Sequence, residues 1–249
     1  MKSRFGLARS AVSLVATALL LVSASAAEAK TYSVNELVDY FDAIVFGAEL
    51  DPKYAARMIS KWQGPVGISI QGRVSKELAG FAQTHLKAIS KISRLKFQQV
   101  DPTSNVQSIS LIFVKSAEMA KIPVPAEYLS VMKKAAVNAN CYFLSWKKPE
   151  SRIVKAIIVV DAEKDSAVLN SCILEELTQS LGLPNDSNTL RPSIFSDRDR
   201  LFELGPQDKL LLHMLYHPDM KPGYTRAQAR KAARAIVTKM AKRKKKPAK

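Results

Sequence analysis

Between Ser171 and Asp186 the chain reads Ser-Cys-Ile-Leu-Glu-Glu-Leu-Thr-Gln-Ser-Leu-Gly-Leu-Pro-Asn-Asp, and this stretch constrains the fold more than any other. Leu169, Ile173, Leu177 and Leu181 recur every four residues, with Leu174 beside them. That spacing predicts a helix with one buried face. Gly182, Leu183 and Pro184 predict its end: glycine enters left-handed backbone at little cost, and proline cannot continue a helix. The polar side carries Cys172, Glu175, Glu176 and Gln179. Cys172, Glu175 and Gln179 share a face, and Glu176 lies about 100° round from Glu175.

The elements leading to this helix alternate in type. Ser33 and Glu36 form a capping box for a helix that turns Leu37, Tyr40, Phe41 and Val45 inward and stops at Phe46 and Gly47. Tyr54 to Trp62 reads as a second, short helix. Pro65 to Ile70 is β-branched and alternates, so it predicts a strand. Ser75 to Arg94 predicts a long helix, Phe97 to Val100 a short strand and Val106 to Val114 a buried strand. Pro125 suits the first turn of a helix running to about Val137. Cys141 to Trp146 and Ile153 to Val160 predict two strands joined by a hairpin. After the central helix, residues 183–207 form a long polar connection, of the kind that tends to be functional or mobile. A helix follows over Asp208 to Tyr216. Thr225 and Gln228 form a second capping box, opening a helix with Ala229, Ala233, Ile236, Val237 and Met240 as its apolar stripe. This order is α/β (α+β), and with 47% apolar residues the chain can build one sizeable core.

The two ends have a different character. Lys2, Arg4 and Arg9 precede an apolar run from Ala11 to Val22 and the small residues Ala24 and Ala26. This pattern predicts a secretory signal peptide over residues 1–26, with cleavage after Ala26 or after Ala29. A single domain is expected over residues 27–224. Residues 225–249 are expected to be a basic helix over Thr225–Ala241 and a disordered tail from Lys242. An exported chain with two cysteines predicts a disulfide between Cys141 and Cys172 and a periplasmic or secreted location. From Arg226 to the end there are eleven lysines and arginines and no acid. Lys242, Arg243, Lys244, Lys245 and Lys246 offer contact to an anionic envelope surface; the plain alternative is a solubilising end. No aromatic residues interleave this run, and no nucleic-acid partner is expected.

The central helix resembles the active helix of zincin metallopeptidases in their metzincin form, His-Glu-x-x-His-x-x-Gly-x-x-His. The equivalent residues here run from Glu175 to Asn185. Glu176 stands in the general-base place and Gly182 in the turn place. The three metal-binding histidines are replaced by Glu175, Gln179 and Asn185. The resemblance implies a zincin-like mixed sheet with packed helices whose metal site has been lost. A wider stretch, Val34 to Gly223, resembles an uncharacterised family of exported bacterial proteins. The matching pieces are Phe46 to Glu49, Trp62 to Val66, Cys172 to Asp186, Met214 to Tyr216, Pro218, and Pro222 with Gly223.

No metal site and no cofactor are expected. His213 and His217 have chelating i, i+4 spacing, but no acid lies between them in the general-base place, and Pro218 follows at once. Met214 falls in the order of a zincin methionine turn, yet inside a helical pattern that predicts core packing. The main expectation is a non-catalytic module that binds a peptide, protein or envelope component. Glu175, Gln179, Asn185 and Asp186 would line its cleft. One alternative is a hydrolase using Glu176 with an unrecognised partner set. Another is an envelope protein anchored by its basic tail. The plain reading of Glu175 and Glu176 is a solvated pair on an amphipathic helix.

Overall fold

The structure, a computed structural model, describes residues 32–49 and 51–244. The leader expected over residues 1–26 and the tail lysines Lys245 and Lys246 lie outside them. Helix α1 spans Val34–Phe46, and its capping box forms as expected. Glu36 N donates to Ser33 Oγ at 3.2 Å and Ser33 N donates to Glu36 Oε2 at 2.7 Å. Strand β1 (Val66–Gly72), helix α2 (Lys76–Ser93), strand β2 (Phe97–Gln99) and strand β3 (Ser108–Val114) follow. Helix α3 is Leu129–Asn138, and strands β4 (Cys141–Lys147) and β5 (Ile153–Asp161) form the hairpin. The central helix is α4 (Ser166–Gln179); α5 (Pro206–Tyr216) and α6 (Arg226–Lys244) complete the chain.

The five strands make one mixed sheet in the order β2-β1-β3-β5-β4. Four run parallel; β4 alone is antiparallel, against β5, and it forms one edge. Alternation along β3 and β5 splits the interior in two. Ile109, Leu111, Phe113, Ala156, Ile158 and Val160 face the main core, which the sheet shares with α1, α2, α4, α5 and α6. Ile157 and Val159 face a smaller core with Tyr142, Leu144 and the α3 residues Val131, Met132 and Ala135. The described elements thus form an α/β protein of one domain.

Three expectations need correction. Residues 54–62 are not a helix. A 3₁₀ turn at Pro52–Tyr54 gives way to extended backbone, because Ile59 exchanges hydrogen bonds with Tyr224 (2.8 Å) and Gly223 (2.9 Å) and Lys61 pairs beside Arg152. Tertiary pairing has overridden local helical spacing. The connection over residues 183–207 is packed rather than loose: Leu190, Ile194, Phe195 and Leu204 are buried. Buried Ser193 holds it in place, donating to Asp208 Oδ1 at 2.6 Å and accepting from the Tyr40 hydroxyl at 2.8 Å. Finally, α6 continues through Lys244, so Lys242, Arg243 and Lys244 are helical. Lysine and arginine are good helix formers, and each residue added to an existing helix gains a hydrogen bond.

Helix α6 docks on α1. Ala229, Ala233, Ile236 and Val237 are buried, and the near-buried Asp42 of α1 accepts from Arg226 Nε at 2.8 and 3.0 Å. Arg230 reaches Asp42 as well, at 3.3 Å.

Candidate functional site

Helix α4 is buried on nearly every side, not on one face. It packs between α2 and strands β4 and β5, so Glu176 and Gln179 are covered along with the leucines. Only 5% of Glu176 and 1% of Gln179 is exposed, which rules out a solvated pair. Cys172 is bonded to Cys141, tying α4 to the first residue of edge strand β4. The helix ends where Gly182, at φ +111°, meets the carbonyl of Ser60; a Cβ there would sit 2.1 Å from that oxygen. The last turn is held from outside: Trp62 Nε1 donates to Ser180 O at 3.0 Å, and Tyr216 Oη donates to Leu181 O at 2.9 Å.

The predicted site residues come together, with divided roles. Gln179 Nε2 donates to Asp186 Oδ1 at 2.6 Å. Asn185 instead serves the scaffold, donating to Ala43 O at 3.0 Å at the end of α1. Gly47 makes this possible, because a Cβ there would lie 2.3 Å from the Asn185 amide nitrogen. Two acidic residues that sequence reasoning missed complete the cluster, Glu49 and Asp197. Glu49 belongs to the short segment after α1 that was already distinctive. Asp197 carries no local signal, since it arrives only through the fold of the 183–207 connection.

The cluster is a concentration of like charge. Burial, then Glu49, Glu175 and Asp186, pushes the Glu176 carboxyl well above the usual carboxylate range. Glu175 is raised in the same way, by burial and then by Asp186, Glu49 and Asp197. Asp186 is pushed up to about 8, by burial first and then by Glu49 and Asp197. Glu49 is an exposed residue overall, yet desolvation of its carboxyl, then Asp197, raises it, with the Gln179 amide acting the other way. The largest influences on all four are burial and neighbouring carboxylates. Two buried acceptors, Glu176 Oε2 and Gln179 Oε1, have no hydrogen-bond donor. Among the described residues, no three His, Cys, Asp or Glu side chains converge to hold a metal ion. His213 and His217 stack edge to face with 5.5 Å between ring centroids, Met214 is fully buried in the core, and His85 bonds to Asn170.

Beside the cluster runs a groove of about 310 Å³. Its floor is the edge of β4 at Phe143 and Ser145. One bank carries Glu49 and Pro184, the other the stacked rings of Tyr54 and Tyr128, 6.0 Å apart. A pit of about 10 Å³ shares Phe143, Ser145, Lys147 and Pro184 with the groove and reaches Gln179. The backbone of β4 is open here. Asp161 N donates to Asn140 O at 2.9 Å, so by alternation Tyr142, Leu144 and Trp146 turn their polar groups to β5. Cys141, Phe143 and Ser145 turn theirs outward. A larger hollow of about 710 Å³ lies over the sheet face, lined in part by Lys148, Arg152 and Lys155. Neither unpartnered acceptor lies there, so the β4 groove is the better candidate.

A family model matches residues 34–235, and its description is a protein of unknown function, DUF2927. The chain belongs to this family. The DUF2927 match begins with α1 and runs into α6, so it takes in every residue named at the groove and in the acidic cluster. No curated protein matches the chain.

Proposed function

We propose that this DUF2927 protein is a non-catalytic, exported binding module with a zincin-like core that has lost its metal site, and that it holds an extended peptide along the free edge of β4. The observation that carries this reading is the groove. It joins an antiparallel edge strand with outward backbone groups to apolar and aromatic banks, the combination that β-strand addition needs: main-chain hydrogen bonds for affinity, side-chain pockets for choice. The zincin-like reading is supported by a mixed sheet with one antiparallel edge strand and by α4 lying against that edge. Glu176 and Gly182 keep their motif places, and Glu175, Gln179 and Asn185 stand where imidazoles would be. Export is supported by the N-terminal pattern and by the Cys141–Cys172 bond.

Hydrolysis by Glu176 is the weaker reading. A general base must be ionised near working pH and reach a water. This carboxyl is buried and favours its proton, and α4 carries no histidine.

Hydrogen exchange tests the binding reading. A degenerate octapeptide library added to the purified protein should slow exchange at the amides of Phe143 and Ser145. Ser145→Pro removes one outward N–H without touching the β4–β5 ladder. That variant should keep its melting temperature and lose the protection. Unchanged exchange in the parent protein at saturating peptide would sink the proposal.

A further inference from the structure

We propose that the acidic end of the β4 groove receives a lysine or arginine side chain of the bound chain, an inference that rests on the peptide-binding reading and names the residue type the groove selects. Three observations converge on it. First, the pit in the groove floor reaches Gln179, whose buried Oε1 has no donor while its Nε2 is already committed to Asp186. A second buried acceptor, Glu176 Oε2, belongs to the same cluster and lacks a donor too. Buried acceptors without donors are costly and rare in native proteins. What Gln179 Oε1 lacks is a donor, and an ammonium or guanidinium supplies several.

Second, Glu49, Asp186 and Asp197 gather beside Glu175 and Glu176, and after burial the leading influences on these carboxyls are neighbouring acids, which raise their proton affinity. Lys147 borders the pit but is engaged with none of these carboxylates. Acids thus outnumber cations where the groove meets the cluster: Glu49 and Asp51 line the groove against Lys147.

Third, the geometry favours an organic cation over a metal. Among the described residues no three of these side chains converge at ligating distance. A side-chain cation needs no such convergence: a guanidinium carries five donors in a planar fork, and an ammonium carries three on a flexible stem, so either can bond to separate acceptors. A chain laid on β4 also presents alternate side chains to one face, so one residue can drop toward Gln179 while its neighbours meet the tyrosines.

The test is the composition of captured peptide. The immobilised protein is incubated with a cysteine-free degenerate octapeptide library at low salt, and bound peptides are sequenced. The protein carries a net charge of +16, so indiscriminate attraction would enrich acidic peptides. We expect the reverse: lysine and arginine enriched at one position by about tenfold, the ratio that a preference of 1.4 kcal/mol gives. Enrichment should vanish in the Glu49→Gln, Asp186→Asn double variant. In the parent it should grow between pH 6 and 9 as Asp186 loses its proton. Peptide captured with no lysine or arginine preference, yet lost in Ser145→Pro, would overturn this inference and leave the groove reading standing. No capture above the Ser145→Pro background would overturn both.

Discussion

At the scale of single residues, the acids of α4 and its following turn are set against the fold they sit in. Asp186 has a raised folded-state pKa of about 8. Between the unfolded carboxyl value near 4 and that value, the native state therefore holds more protons than the unfolded chain. Its contribution to stability is present in full below about pH 4 and is lost as pH rises through about 8, a swing on the order of several kcal/mol. Melting followed from pH 4 to pH 9 should show the protein weakening across this window, and Asp186→Asn should flatten the fall. Glu176→Gln tests the deeper group. As a solvated helix residue it would change little at any pH. Buried and raised as it is, its amide should be close to neutral at pH 5 and stabilising at pH 8. Equal melting of parent and variant at both pH values would mean that Glu176 is hydrated after all. The presence of these residues was legible in the sequence; their burial was not. Periodicity marks which side of a helix is apolar, but it cannot show that a second layer, here the edge strand and the 183–207 connection, covers the polar side too.

At the scale of elements, the Cys141–Cys172 bond is what fixes the groove floor to the helix beneath it. It closes a loop of 31 residues, for which the chain-entropy model gives about 3–4 kcal/mol. Serine at both positions should lower the melting temperature by roughly 10 °C, at about 2–4 °C per kcal/mol for a chain of this size. Calorimetry with and without reductant checks it; a difference under about 1 kcal/mol would mean that packing alone holds β4 to α4. The contact between α6 and α1 makes a second case. Asp42→Asn weakens charge-assisted bonds from Arg226 and Arg230, and should cost about 1–2 kcal/mol in denaturant unfolding. Asn35→Ala, which loses only the exposed contact with Arg234, should stay within about 0.5 kcal/mol. The strands, the two capping boxes and the apolar stripe of α6 were all readable, because each is a local pattern. Residues 54–62 were misread because their hydrogen bonds go to residues far along the chain, Gly223 and Tyr224 among them.

For the whole molecule, the sheet order could not be read from the chain. Alternating strands and helices imply mainly parallel pairing, but they do not place β4 at an edge, and the groove exists only because it is there. The pairing of α1 with α6 has a further consequence. The first described helix made at the ribosome finds its partner in the last. Until residues beyond Arg226 have emerged, the face of α1 that Ala229, Ala233 and Ile236 will cover has nothing to cover it, and Asp42 has no arginine. A chain emerging in order can form the β3–β5 region before α6 appears, but the α1 face of its core stays open until α6 arrives.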